Sequence, residues 1–190
     1  MLRDRFPTVA SAGAKQMHKR CRLKMLPSTL FVANLGSCSS PDRQLGYREA
    51  KRALKPGGCF LFSVWDRIEE NVFANDVTNA LAEVFPSDPP RFLARTPHGY
   101  YDTALIHGEL EKAGFSKVVI ETRAEQSRAP SPRHPAVAYC QGTPLRNEIE
   151  ARGAEGLESA TRYAMSTIAN RHGSGEVAAK IQAHVIMAVV

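Results

Sequence analysis

The side chains best placed for chemistry gather around two stretches. Trp65 and Asp66 end an apolar run, Cys59-Phe60-Leu61-Phe62-Ser63-Val64. An indole there can stack on a flat small molecule or plug the edge of a core. The charged string Asp66-Arg67-Ile68-Glu69-Glu70 reads as a solvated helix start. His98, Tyr100 and Tyr101 lie in a stretch rich in proline, glycine and aromatics, where they can line a substrate mouth or serve ordinary loop packing. With Trp65 they form the expected substrate-binding set. His134, Cys140 and His184 have no partner at nucleophile or metal-ligand spacing. His184 falls in an apolar strand pattern and reads as a satisfied core histidine. The four cysteines, Cys21, Cys38, Cys59 and Cys140, form no Cys-x-x-Cys pair. That argues against a zinc site or disulfide framework and points to a reducing interior. No catalytic residue, cofactor ligand or metal ligand is identifiable from type and spacing alone.

The elements that must position these residues follow from periodicity. Arg43 to Leu54 is helical, with Tyr47, Ala50 and Leu54 on one face. Pro56-Gly57-Gly58 cannot continue it, and Cys59 to Trp65 reads as a strand buried on both faces. Val72 to Phe85 is an amphipathic helix stopped by Pro86, and Ser87 to Tyr101 is a loop. Asp102 suits an N-cap for a helix over Ala104 to Ala113, ended by Gly114. Val118 to Thr122 is a strand. Ser127 to Pro135, with three prolines, reads as a hinge. Helices are expected over Ala136 to Tyr139, Pro144 to Arg152 and Glu155 to Arg171. Ile181 to Val190 reads as a final strand.

The Leu54-Lys55-Pro56-Gly57-Gly58 turn before a buried strand resembles the approach to the fifth strand of class I S-adenosylmethionine-dependent methyltransferases. Leu110-Glu111-Lys112-Ala113-Gly114-Phe115 resembles their approach to strand six. The order of elements over about residues 42–190 is similar to the second half of such a domain, in the layout of the small-molecule, quinone-biosynthesis type. The resemblance implies an α/β fold: a partial Rossmann-like, doubly wound sheet of strands four or five to seven with a helical insertion. The terminal strand would pair between strands five and six. Residues 127–172 would be a helical lid over the carboxyl ends of the strands, hinged at Ala129 to Pro135.

Residues 1–41 break this pattern. They show no sustained period of 3.6 or 2. The resemblance implies a glycine-rich cofactor loop, an acidic ribose ligand and a fourth strand there, and these letters supply none. The first 24 residues hold seven bases against Asp4, leaving 18 basic and 18 acidic residues in the remainder, so the net charge of +6 sits at one end. The genetic code suggests a cause. In a shifted frame Met17-His18 forces alanine, His18-Lys19 permits only glutamine or a stop, and Lys24-Met25 permits only Asp or Asn. With compatible codons elsewhere, Lys15 to Pro41 becomes an acidic loop and a fourth-strand-like run leading into Asp42. Residues 1–41 therefore read as an out-of-frame, aberrant segment; a disordered basic tail of its own is the alternative.

The function implied by the resemblance is S-adenosylmethionine-dependent methyl transfer to a small-molecule acceptor. The chain as it stands is expected to lack cofactor binding and activity, because the cofactor-holding half is missing. Positioning of nucleophile and methyl supplies most of the acceleration in such transfers, so an obvious general base is not required. The rival reading is a non-catalytic α/β interaction module whose basic arm engages nucleic acid. The electrically balanced body argues against it. No apolar run approaches the ~20 residues of a membrane span. The expected setting is cytoplasmic, with self-association through an unpaired sheet edge.

Overall fold

A computed structural model describes residues 28–34, 43–153 and 156–190. Its strands are β1 (Ser28–Asn34), β2 (Leu54–Trp65), β3 (Lys117–Ala129) and β4 (Val177–Val189). Its helices are α1 (Arg43–Arg52), α2 (Val72–Val84), the short α3 (Phe92–Arg95), α4 (Thr103–Lys112), α5 (Arg133–Gly142), α6 (Leu145–Glu150) and α7 (Gly156–His172). The sheet order is β1-β2-β4-β3. β1 runs parallel to β2, while β4 lies between β2 and β3 and is antiparallel to both. This mixed sheet with flanking helices has the partial Rossmann-like form expected, with the final strand inserted between its predecessors.

The sheet's first core forms where α1 and α4 cover one face of β2 and β4. Tyr47 and Ala50 of α1, Ile106 and Leu110 of α4, Phe60, Phe62 and Val64 of β2, and Ile186 and Ala188 of β4 are all buried together. The rings interlock: Phe60 stacks on Phe62 at 4.8 Å and on Phe115 at 6.0 Å between centroids. Offset aromatic contacts of this kind add about 0.5–1.5 kcal/mol per pair beyond their buried area. The helix-to-strand turn between α1 and β2 needs its glycines. Gly57 has φ +75°, and a Cβ on Gly58 would stand 2.8 Å from the Lys55 carbonyl oxygen. The Asp102 carboxylate caps α4, accepting from the Ala104 and Leu105 amides at 2.9 and 3.1 Å.

A second core joins α2, α5, α6 and α7 to Val177 and Ala179 of β4. Here Asp76, fully buried on α2, accepts hydrogen bonds from Arg171 and, at 2.7 Å, from His172 Nε2 of α7. The pairing of Ala183 with Trp65 leaves residues 177–182 of β4 beyond the carboxyl end of β2, still paired with β3 as far as Ala129. The second core therefore sits past that end of the sheet.

Two expectations are corrected. The letters of residues 1–41 supply no fourth strand in the sequence pattern. Yet β1 pairs with β2 from Leu30 opposite Cys59 to Asn34 opposite Ser63. Leu30, Phe31 and Val32 are good strand formers, and the free edge of β2 offers a row of backbone donors and acceptors. The rest of the aberrant-segment reading lies outside the described residues. Second, β3 and β4 are each 13 residues long, well beyond the expected strands. Residues 123–129 are largely polar and show no alternation, but residues 177–183 of β4 pair with them along their whole length.

Candidate functional site at the carboxyl end of β2

β2 delivers Trp65 and Asp66 to the sheet's carboxyl end, where open α/β sheets place their ligands. Because β4 continues past Trp65, Asp66 still lies against a strand, and its amide donates to the Gln182 carbonyl at 3.1 Å. Asp66 is consequently buried and is not the solvated helix start expected from its charged neighbours. Its Oδ1 accepts from the Arg67 amide at 2.7 Å and faces His184 Nε2 at 3.2 Å. Its Oδ2 accepts from Gln182 Nε2 at 2.6 Å. Burial pushes this carboxyl upward, but the Gln182 amide, the Arg67 N–H and His184 outweigh it and hold the group below the usual aspartate range.

His184 is buried on β4 with both ring nitrogens engaged, Nε2 toward Asp66 and Nδ1 at 2.9 Å from Thr122 Oγ1 of β3. An ionised Asp66 favours the tautomer with the proton on Nε2, so Nδ1 accepts from the Thr122 hydroxyl. The result is a hydrogen-bonded line from the Thr122 hydroxyl through the His184 imidazole to the buried Asp66 carboxylate. Asn71 pins the same corner. Its Nδ2 donates to the carbonyls of Asp66, Arg67 and Gln182, and its Oδ1 accepts from the Gln182 amide.

The four expected substrate-binding residues occupy different surroundings. Trp65 is 38% exposed. His98 is buried beside it, ring centroids 6.1 Å apart, with Nδ1 2.8 Å from the Asp66 carbonyl oxygen. Burial pushes the His98 imidazole down, with the Asp66 carbonyl opposing. Tyr101 is exposed. Tyr100 is buried in the first core. Its hydroxyl donates to Glu109 at 2.6 Å and meets Tyr47 Oη at 2.9 Å, while the Arg43 guanidinium lies 4.3 Å over its ring. Of the three histidines and cysteines set aside earlier, His134 is exposed beside Ser131, and burial pushes the Cys140 thiol up to about 11, against Thr161. That thiol is no nucleophile at neutral pH.

Sequence reading missed Thr122, Gln182 and Asn71 altogether. Their only signal was the polar interruption of apolar strand patterns, which does not say what they face.

A cofactor of the S-adenosylmethionine type does not fit these residues. Among the described residues no glycine-rich turn follows a parallel strand, and the Asp66 carboxylate at the end of β2 is already engaged by Arg67, Gln182 and His184. Two open hollows among the described residues, of about 590 and 640 Å³, are lined by Ala124, Glu125, Gln126, Arg128 and Lys180 and by residues that include Phe85 and Arg152; neither is lined by Trp65. Among the described residues no cluster of three potential metal ligands occurs, and no helix is long and apolar enough to cross a membrane.

No protein-family model matches the chain. Among solved structures the matches are distant and include methyltransferases. A phosphoethanolamine N-methyltransferase 2 from Haemonchus contortus, solved with phosphomonomethylethanolamine and S-adenosylhomocysteine, is 13% identical with a TM-score of 0.41. The match covers 87% of this chain and 35% of that protein. The same enzyme with S-adenosyl-L-methionine gives 18% identity and 0.35, over 85% of this chain and 33% of that one. The YcgJ protein of Bacillus subtilis gives 12% and 0.41, over 87% of this chain and 64% of its own. The chain thus spans about a third of the first enzyme's length.

Proposed function

We propose that this chain is the acceptor-side, carboxy-terminal part of a small-molecule methyltransferase that uses S-adenosylmethionine. The observation that carries this reading is the sheet order: a late strand placed antiparallel between β2 and β3, beside the parallel pair of β1 and β2. Trp65 and its neighbour His98 would form one wall of the acceptor site, with Tyr101 as a further exposed aromatic. Tyr100 would act indirectly, by fixing α4 against α1. The segment 127–172 would serve as a lid, a role supported by the packing of α5 to α7 beyond the carboxyl end of β2. The group that donates the methyl would be held by a half of the domain encoded upstream in a shifted frame, since the residues described here do not cradle it.

Calorimetric titration with S-adenosylmethionine tests the proposal. The chain as it stands should give no measurable heat of binding, and a version with residues 1–41 restored in frame should bind. Micromolar binding by the present chain would show that the site has been misplaced. Failure of the restored chain would overturn the methyltransferase reading.

A further inference from the structure

α1 and α4 both lie on one face of the sheet, and among the described residues no helix covers the opposite face of its first half. Side chains alternate along each strand, so Val32, Leu61, Met187 and Val119 form one continuous row across all four strands. Leu30 stands in the next row, opposite Cys59. Leu30 is 57% exposed, Val32 54%, Val119 42% and Met187 37%, four of the large apolar side chains left open to solvent, all on this surface. The two central strands contribute no charge to it: Cys59, Leu61 and Ser63 come from β2, and Val185, Met187 and Val189 from β4. Parallel strands are ordinarily covered on both faces, and an apolar surface of this kind marks a contact.

We propose that this apolar face docks a second copy of the chain, sheet against sheet about a two-fold axis, in a weak, concentration-dependent dimer. The occupant follows from three properties of the surface. Its uncharged centre matches an identical apolar centre, which a two-fold contact brings together. Its β3 rim carries both signs, Lys117, Glu121 and Arg123, so that a copy meets no net repulsion. Four strands about 4.8 Å apart and about seven residues long give a footprint of roughly 400 Å² per copy. A stable interface buries about 800 Å² per partner, which sets this contact in the weak class. The basic stretch before β1 is a poorer cover, because its letters offer no apolar face of either helical or strand period. The contact differs from the edge-to-edge association expected from sequence.

Sedimentation of the full chain from low to high micromolar concentration tests the proposal, paired with the rate of Met187 oxidation by peroxide, which follows exposure of the thioether. The expected result is a monomer on dilution, a dimer on concentration, and slower Met187 oxidation in the dimer. Val119→Glu with Met187→Glu should weaken dimerisation at least about tenfold by placing charges in the contact. Both positions are open to solvent, so the melting curve of the dilute variant should match that of the parent. Three results would overturn the proposal. The chain could remain monomeric throughout, or the variant could dimerise as well as the parent, placing the contact at an edge. A monomer whose Met187 resists peroxide would mean that another part of the chain covers the face.

Discussion

His98 reaches the Asp66 carbonyl as a neutral donor, and burial keeps it neutral by pushing its proton affinity below the ordinary imidazole value of 6.5. In the unfolded chain the same ring protonates near 6.5. The native state then gains stability from His98 above that pH and loses it as the pH falls toward the depressed native value. The urea midpoint of the parent should drop between pH 7.5 and pH 5. His98→Asn, which keeps a donor but does not titrate, should lack that part of the slope. An identical slope in both proteins would show that His98 is not the group responsible. Asp66 acts in a separate, lower window. Its depressed carboxyl contributes above the ordinary 3.8 and is lost only as the pH falls below it. At this scale the sequence was partly legible. Trp65 and His98 could be suspected from residue type and position, and they do lie together. The contact of Asp66 with Gln182, 116 residues away, could not. Nothing in local spacing reports which distant strand will pass a carboxylate, and the charged run after Asp66 pointed toward solvent.

The elements were more legible than the residues, because periodicity and capping are local. Asp102 was expected to cap α4 and does so with two amide contacts. Asp102→Ala should therefore cost about 1 kcal/mol, read as a shift of the urea midpoint without change of slope. No change would mean that water or a neighbouring group replaces the cap. The helix faces of α1, α2 and α4 also follow their sequence pattern, down to Tyr47, Val77 and Ile106 in the cores. The failures share one cause. β1 is a short apolar run in an otherwise irregular stretch, and the outer halves of β3 and β4 are polar or alanine-rich. Each is a strand because a neighbour pairs with one side of its backbone, a tertiary effect that overrides weak local preference. The four-residue α3 fails for a related reason. It is held from outside by Glu148 of α6, whose carboxylate accepts from the Arg91 and Phe92 amides and pairs with Arg95.

At the scale of the fold, two cores are tied together by the long β3–β4 pair, and among the described residues the first half of the sheet is covered on one face, by α1 and α4. A domain with strands preceding β1 would complete the open edge beside it, which gives the frame reading its physical motive. The nucleotide sequence should contain a one-base change near the Pro41 codon, and correcting it should open an upstream frame encoding a strand and a Gly-x-Gly-x-Gly loop. A stop codon or featureless coding there would remove the reading. The position of β4 has a consequence for how the chain is made. β4 leaves the ribosome after both strands it separates, so β2 and β3 must wait, their facing backbone groups unpaired, until it arrives. The helices of the second core can gather earlier, but the sheet cannot close during synthesis of its first three strands. The nascent chain should thus be most vulnerable to aggregation and proteolysis in that interval, and any pause in translation before Val177 prolongs it.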